Sequence, residues 1–555
     1  MDQPTFDTSE ICYQQGVRHA VFSPGSRNAP LSISFHRNKK IETRVILDER
    51  SAGFIALGIA QQTNRPVVLC CTSGTALLNY GPAIAEAFFQ RIPLIVLSAD
   101  RPPEWIDQWD GQTIRQNNPF SNHVRGYFEL PVDRSHKDAQ WEYKRKLSSA
   151  VLIAKRQKGP VHVNIPFREP FYPTAFEEWK FSDISPLKRH QPSQNFEISP
   201  EWQSQWNNYT RKLIVIGQHD FDEELIDILT VLSKDQHIPI VNEITGNGHA
   251  IKEVICHHDL FLINTSTHDE LSPDLVITIG LSTLSKNLKR LIRSSEAAHW
   301  HVDISDDLPG DTFKILSQII QSEPSDFFTQ FLGQKGQPEI FKAAWKKQQR
   351  KTELLLDTLT NSKYAEFSAF HRLIKDLPNH SIIHLSNSMP VRFANFLSQF
   401  KAGVHIYCNR GTSGIDGTNS TAVGHALSTE KQVILITGDL SFLYDRNAFL
   451  HEYDLSNLRV VVFNNFGGGI FDLIPGPSQL TITEKETHFT TPHHKDLKHS
   501  AADAGMLYFK ANDEVTLELA LNDFFERSDL PKLLEIQTAQ KINVEVYQQI
   551  KKSLS

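Results

Sequence analysis

The chain has 555 residues, 40% of them hydrophobic and 22% charged, with a formal net charge of −7. That length accommodates roughly three or four domains at ~150 residues each, and the mild acidity argues against a nonspecific nucleic-acid-binding surface. No apolar run approaches the ~18 residues that span a bilayer, residues 1–10 are too polar and acidic for a signal peptide, and five cysteines without CxxC spacing make no disulfide framework; the expectation is a cytoplasmic protein with no membrane or nucleic-acid partner.

Short apolar runs at 19–22, 44–47, 67–71, 94–98 and 161–165 alternate with helical patterns at 50–61 and 76–90. Such alternation predicts a parallel sheet with right-handed crossovers. Cys70 and Cys71 lie within the third run and read as small packed hydrophobes. The polar, Pro-bearing stretch 182–200 reads as a linker. A second alternating block has runs at 213–217, 238–242, 275–280 and 299–303, followed by a Lys- and Gln-rich, solvated helical stretch near 334–352. A third block has runs at 381–385, 405–407, 432–437, 459–463 and 532–536. The fold class is therefore α/β, with three doubly wound parallel-sheet domains expected at 1–181, 200–340 and 355–555. No internal sequence repeat is visible.

The chemistry concentrates at two strand ends in the third block. Ligands in open α/β sheets bind at the carboxyl ends of strands. Gly438-Asp439 follows one buried-strand run, and Asn464-Asn465 ends the next. Gly438 lets a ligand approach the backbone. Asp439 is a hard oxygen ligand suited to Mg²⁺, which commonly combines one or two carboxylates with substrate phosphates. A helix is expected at about 442–452, opened by Ser441, with its free N–H groups toward an anion. An asparagine amide oxygen, best placed on Asn465, and the Gly467 carbonyl would complete a metal site. Either dipeptide by itself is ordinary turn chemistry; the pair, each after a strand, resembles the GDG…NN diphosphate motif of thiamine-diphosphate enzymes. Leu440 stands where most of those families have Gly. The cofactor's aminopyrimidine also needs a carboxylate for proton exchange, and Glu49 after the run at 44–47 is the candidate. The competing account of Glu49 is a helix-start acid favoured by the macrodipole.

Further segments extend the resemblance. Ser23-Pro24-Gly25-Ser26-Arg27, Asp48-Glu49-Arg50, Thr72-Ser73-Gly74, Asp100-Arg101-Pro102-Pro103, Gln112-Thr113-Ile114-Arg115-Gln116, Ser386-Asn387-Ser388 with Arg392, Asn409-Arg410-Gly411 through Gly417, and Gly438-Asp439-Leu440-Ser441 are similar to the 2-succinyl-5-enolpyruvyl-6-hydroxy-3-cyclohexene-1-carboxylate synthases of menaquinone biosynthesis. In that family Leu after Gly-Asp is usual. The resemblance covers the first and third blocks strongly and the middle one weakly.

It implies pyrimidine-binding, central and diphosphate-binding domains, and thiamine diphosphate with Mg²⁺ or Mn²⁺. It also implies a homodimer or homotetramer in which Glu49 of one chain faces Asp439 of another. In the family's reaction 2-oxoglutarate loses CO₂, and the resulting succinyl-semialdehyde carbanion adds in the 1,4 sense to isochorismate. Both substrates are dicarboxylates, which Arg holds in a bidentate manner. By resemblance Arg392 and Arg410 take the 2-oxoglutarate side, and Ser26, Arg27, Arg101, Gln112 and Lys286 the isochorismate side. The next residue is Asn287, where the family pattern has Arg. Ile415 resembles the aliphatic pivot beneath the cofactor. Gly438, Leu440, Ser441, Ser388, Ile470 and Phe471 would line the cofactor, although plain core packing also accounts for Ile415, Ile470 and Phe471. Two alternatives stay open: an acetolactate-synthase-like carboligase or decarboxylase, which needs fewer cations, and a noncatalytic cofactor-binding paralogue, which need not keep Glu49 with Asp439 and Asn465. The pairs His257-His258 and His493-His494 are expected in polar loops, without a chemical role.

Overall fold

The computed structural model describes every residue except 174–177, 188–195, 335, 361–362, 399, 475 and 555, so the expected linker at 182–200 lies partly outside the described residues. Three sheets form, all parallel. The first contains β1 (His19–Phe22), β2 (Glu42–Val45), β3 (Val67–Cys71), β4 (Leu94–Asp100), β5 (Tyr127–Glu129) and β6 (Val161–Pro166), in the order β2-β1-β3-β4-β6-β5. The second contains β7 (Lys212–Ile216), β8 (Ile240–Asn242), β9 (Leu275–Ile279), β10 (Ala298–Val302) and β11 (Leu316–Ile320), in the order β11-β10-β9-β7-β8. The third contains β12 (Ile382–Leu385), β13 (His405–Cys408), β14 (Val433–Gly438), β15 (Leu458–Asn464), β16 (Leu507–Ala511) and β17 (Lys532–Gln537), in the order β13-β12-β14-β15-β17-β16.

The first and third sheets therefore share one winding, although no sequence repeat announces it. Each reverses direction beside its first strand, between β1 and β3 and between β12 and β14. Loops at such a switch point diverge and leave a crevice at the strand carboxyl ends. The central strands β3, β4 and β6 are buried at every position, as helices on both faces of a parallel sheet require.

Several local expectations change. The pattern at 76–90 is two helices, Thr75–Asn79 and Gly81–Gln90, because Pro82 starts a new first turn. The helix expected at 442–452 is instead Asp439–Tyr444, followed by a 3-10 turn at Arg446–Phe449. Asp445 leaves the helix because its carboxylate accepts from Ser420 N–H at 2.7 Å and from Ser420 Oγ at 2.8 Å. The helix Glu339–Leu359 is not a fully solvated one, since Trp345 is completely buried.

The chain packs as two compact units. One joins the first sheet to Asn409–Val433 and Ser441–Leu458; the other carries the second and third sheets. In the first unit the helices Glu49–Thr63 and Thr418–Ala426 cross through facing glycines. A Cβ on Gly424 would lie 2.3 Å from the Ile55 carbonyl oxygen and 2.9 Å from the Gly58 Cα. Gly424→Val is therefore expected to destabilise by about 1–3 kcal/mol through overpacking. Thermal unfolding checks this, and an unchanged melting temperature would disprove the close crossing.

Candidate active site

The carboxyl ends of the third sheet gather the diphosphate-motif residues. Asp439 follows directly on β14 and is only 3% exposed. Its Oδ1 accepts from Leu440 N–H at 2.7 Å, and its Oδ2 accepts from Gly467 N–H at 2.9 Å. His493 Nε2 lies 3.0 Å from the same Oδ2. Burial is the main influence on this carboxyl and pushes its pKa upward, against the pull of those donors. The His493-His494 expectation is corrected in one respect: the pair lies in a loop as expected, but His493 contacts Asp439. His257 and His258 are corrected as well: both are buried, with His257 Nδ1 2.6 Å from the Phe396 carbonyl and His258 3.7 Å from Glu243.

The two asparagines after β15 differ in how they are held. Asn464 is fully committed: Nδ2 donates to Lys495 O and Glu535 Oε1, and Oδ1 accepts from Phe466 N–H. Asn465 Nδ2 donates to Glu366 Oε1 at 3.1 Å, whereas its buried Oδ1 meets no donor. Glu366 is not legible from sequence as a site residue, because it reads as an acid opening the helix Glu366–Asp376. The fold buries it, and burial pushes its carboxyl up to about 8, with nearby Asp439 adding to the shift.

These residues fit a divalent cation with a diphosphate. Among the described residues no cluster of three or more His, Cys, Asp or Glu could hold a metal. The donors present are instead one carboxylate and one orphaned amide oxygen, a set that leaves room for phosphate oxygens. A Cβ on Gly438 would meet nothing within 4 Å, so the strand end is open to a ligand. The Gly467 carbonyl accepts from Gly469 N–H at 3.0 Å and retains a second lone pair. Ile470 and Phe471 are half-buried in the 3-10 turn Gly469–Asp472.

At the switch point of this sheet Ser388 has φ +74°, a conformation rare outside glycine and most often kept where function over-determines it. The Arg392 guanidinium donates to the Ser388 carbonyl one helical turn back. Lys286 is exposed at the first position of the helix Lys286–Ser294, where the dipole disfavours a cation unless an anion sits beside it. Asn287 is committed to holding the fold, since its Nδ2 donates to the Asp259 carbonyl at 2.8 Å and to its Oδ1 at 3.1 Å.

The first unit brings together a different set. Glu49 is half-buried in the first turn of its helix; Cys71 at the end of β3 and Tyr80 resist ionisation chiefly through burial, to which the Glu49 charge adds. Gly25 is required in the loop after β1, because a Cβ there would stand 2.3 Å from the Thr72 Cβ. Ser26 Oγ is 2.9 Å from Tyr172 Oη. Arg27 is buried, donates to the Phe167 carbonyl at 2.9 Å and lies over the Phe171 ring. Arg101 pairs with Asp110 at 3.0 Å and donates to the Gly111 carbonyl. Gln112 is exposed at φ +55°, while its neighbour Gln116 is buried and accepts from Gly74 N–H at 2.8 Å. The Arg410 loop is held by buried Glu86, which accepts from Gly411 N–H and Thr412 N–H, each at 2.7 Å. No local motif marks Glu86 for this role. Ile415 is half-buried, and its carbonyl accepts from Ser441 Oγ at 3.2 Å.

Asp445 in this unit carries a pH dependence. Burial raises its carboxyl to about 7, with Arg50 3.7 Å away, against ~3.9 for free Asp. The folded chain binds this proton more tightly than the unfolded one. The associated stability is therefore full below about pH 4 and is lost as pH rises through about 7. Asp445→Asn should flatten the fall in melting temperature between about pH 4 and 7; an unaltered slope would exclude the assignment.

A family model described as thiamine pyrophosphate enzyme, N-terminal TPP binding domain, matches residues 7–120. With three parallel α/β sheets, that match identifies the class as the thiamine-diphosphate-dependent enzymes. The 2-succinyl-5-enolpyruvyl-6-hydroxy-3-cyclohexene-1-carboxylate synthase of Cytophaga hutchinsonii is 45% identical over 100% of this chain and 99% of its own. Synthases of the same name from Flavobacterium johnsoniae and Porphyromonas gingivalis are 39% and 37% identical, covering 98% and 97% of this chain and 98% and 94% of theirs. The chain belongs to the 2-succinyl-5-enolpyruvyl-6-hydroxy-3-cyclohexene-1-carboxylate synthase family. No helix among the described residues is long and apolar enough to cross a membrane.

Proposed function

We propose that this enzyme decarboxylates 2-oxoglutarate and joins the remaining four-carbon unit to isochorismate in the 1,4 sense, yielding the product named for its relatives, in menaquinone biosynthesis. The observation that carries this is the buried Asp439 after β14 together with an Asn465 Oδ1 without a donor after β15, at the strand carboxyl ends of a chain 45% identical to such a synthase over its whole length. Thiamine diphosphate, when bound, supplies the carbon nucleophile and electron sink for this chemistry. Asp439, Asn465 Oδ1 and the Gly467 carbonyl hold Mg²⁺ or Mn²⁺, and Gly438, Leu440 and Ser441 border the diphosphate. Ser388, Ile415, Ile470 and Phe471 line the rest of the cofactor. Glu49 would exchange a proton with the cofactor's aminopyrimidine, and the working form is a homodimer or homotetramer, cytoplasmic, in which Glu49 of one copy faces Asp439 of a second. The domains are pyrimidine-binding (1–181), central (200–340) and diphosphate-binding (355–555).

The arginines set the substrate class. A pyruvate-type donor has one carboxylate, whereas 2-oxoglutarate carries a second that needs its own cation. Arg392 and Arg410 bind that donor, and Ser26, Arg27, Arg101, Gln112 and Lys286 bind isochorismate. The test assays purified enzyme with isochorismate, thiamine diphosphate and Mg²⁺, offering 2-oxoglutarate or pyruvate. CO₂ release and coupling are expected with 2-oxoglutarate alone; turnover of pyruvate would overturn the assignment. Arg410→Ala should raise the KM for 2-oxoglutarate roughly 10–100-fold, the equivalent of a charge-assisted hydrogen bond. An unchanged KM would remove Arg410 from the donor site.

A further inference from the structure

We propose that Glu366 is a positioning residue for the metal: by taking the NH₂ end of the Asn465 amide it fixes Oδ1 as the end offered to the cation. This rests on the assignment of Asp439 and Asn465 to the metal site. An amide is nearly symmetric in shape but opposite in polarity at its two ends, so an asparagine ligand works only when something sorts them. Glu366 sorts them because both ends of its carboxyl group are oxygens able to accept from an NH₂, as Oε1 does from Nδ2 here, and neither end is an NH₂.

The geometry supports this directly. Glu366 is 5% exposed, and its Oε1 lies 3.1 Å from Asn465 Nδ2. The amide plane then turns Oδ1 away from Glu366, and Oδ1 is buried without a donor. A buried carbonyl oxygen left unpaired costs free energy unless a cation or donor completes it. The adjacent asparagine gives an internal comparison. Glu535, also buried, holds Asn464 Nδ2 in the same way at 2.7 Å, but there Oδ1 accepts from Phe466 N–H. Two successive amides are thus sorted by two buried carboxylates, and only the second keeps its oxygen available. Glu366 is itself fixed, since its backbone N–H donates to Asn543 Oδ1 at 2.9 Å.

Mn²⁺ binding in the presence of thiamine diphosphate, with free Mn²⁺ counted by electron paramagnetic resonance, tests this without reference to turnover. Glu366→Gln presents both a donor and an acceptor and no longer sorts the amide. Its Mn²⁺ Kd should rise roughly 10–100-fold, the usual effect of removing a residue that orients a ligand. In an Asn465→Asp background both side-chain oxygens can ligate, so the same Glu366→Gln change should leave the Kd unchanged or lower it. Wild-type affinity in Glu366→Gln overturns the proposal. A loss of equal size in the Asn465→Asp background also overturns it, because general damage to the fold would persist there. Asp439→Ala separates the two levels: retained Mn²⁺ binding in that variant removes the metal site itself, whereas lost binding with an unaffected Glu366→Gln removes only the role of Glu366.

Discussion

Glu49→Gln is expected to lower turnover by roughly 10²–10⁴-fold, the range contributed by a positioned acid–base group. Binding of thiamine diphosphate should change far less. Gln keeps the size and hydrogen-bonding reach of Glu but cannot take up or release a proton. Glu49 stands in the first turn of the helix after β2, half-buried, and its charge adds to the burial that keeps Cys71, at the end of β3, from ionising. A purely structural acid there would stabilise the helix dipole by only about 0.3–1 kcal/mol, and its loss would appear in the melting temperature rather than in kcat. Steady-state assay together with calorimetric cofactor binding separates these effects. Wild-type turnover would sink the proton-exchange role, and a parallel loss of cofactor affinity would assign Glu49 to binding alone.

Asp439→Ala should abolish Mg²⁺-dependent binding of thiamine diphosphate. The carboxylate is the one anionic ligand in the proposed set, and Asn465 with a backbone carbonyl cannot replace its charge. The substitution also strands Gly467 N–H, which now donates to Oδ2 at 2.9 Å. That costs about 1–3 kcal/mol, offset in part because a buried carboxylate no longer has to be desolvated. The ligand-free melting temperature should therefore move little. The larger change is in the response to ligand. A cofactor at a hundred times its Kd stabilises the folded chain by about 2.7 kcal/mol, and this increment should vanish in the variant. A variant that still gains stability from Mg²⁺ and thiamine diphosphate together would place the metal elsewhere.

The central strands are legible in the sequence because burial on both faces demands unbroken apolar runs, as in β3, β4 and β14. The strands that escape such a reading, β5, β11 and β16, all lie at sheet edges. Each keeps one side partly solvated, so Tyr127–Glu129 and Leu507–Ala511 show no run to detect. The helix after Gly438-Asp439 departs from its sequence pattern because its end is set by a distant partner. Asp445 turns inward to Ser420, a contact that no local pattern encodes.

The site divides along the same line. Gly438, Asp439, Asn465, Glu49 and the four arginines can be nominated from sequence because they lie at strand ends or in the segments that follow them, where such sheets bind ligands. The sequence by itself thus determined the class of enzyme and its family, and nominated the residues proposed to meet the ligands. Only the tertiary structure decided how those residues are held. It brought Glu366 to Asn465, His493 to Asp439 and Glu86 to the Arg410 loop, across 99, 54 and more than 300 residues of chain. Positioning groups need only a buried polar atom at the right distance. Their spacing along the chain is free, and no motif records them.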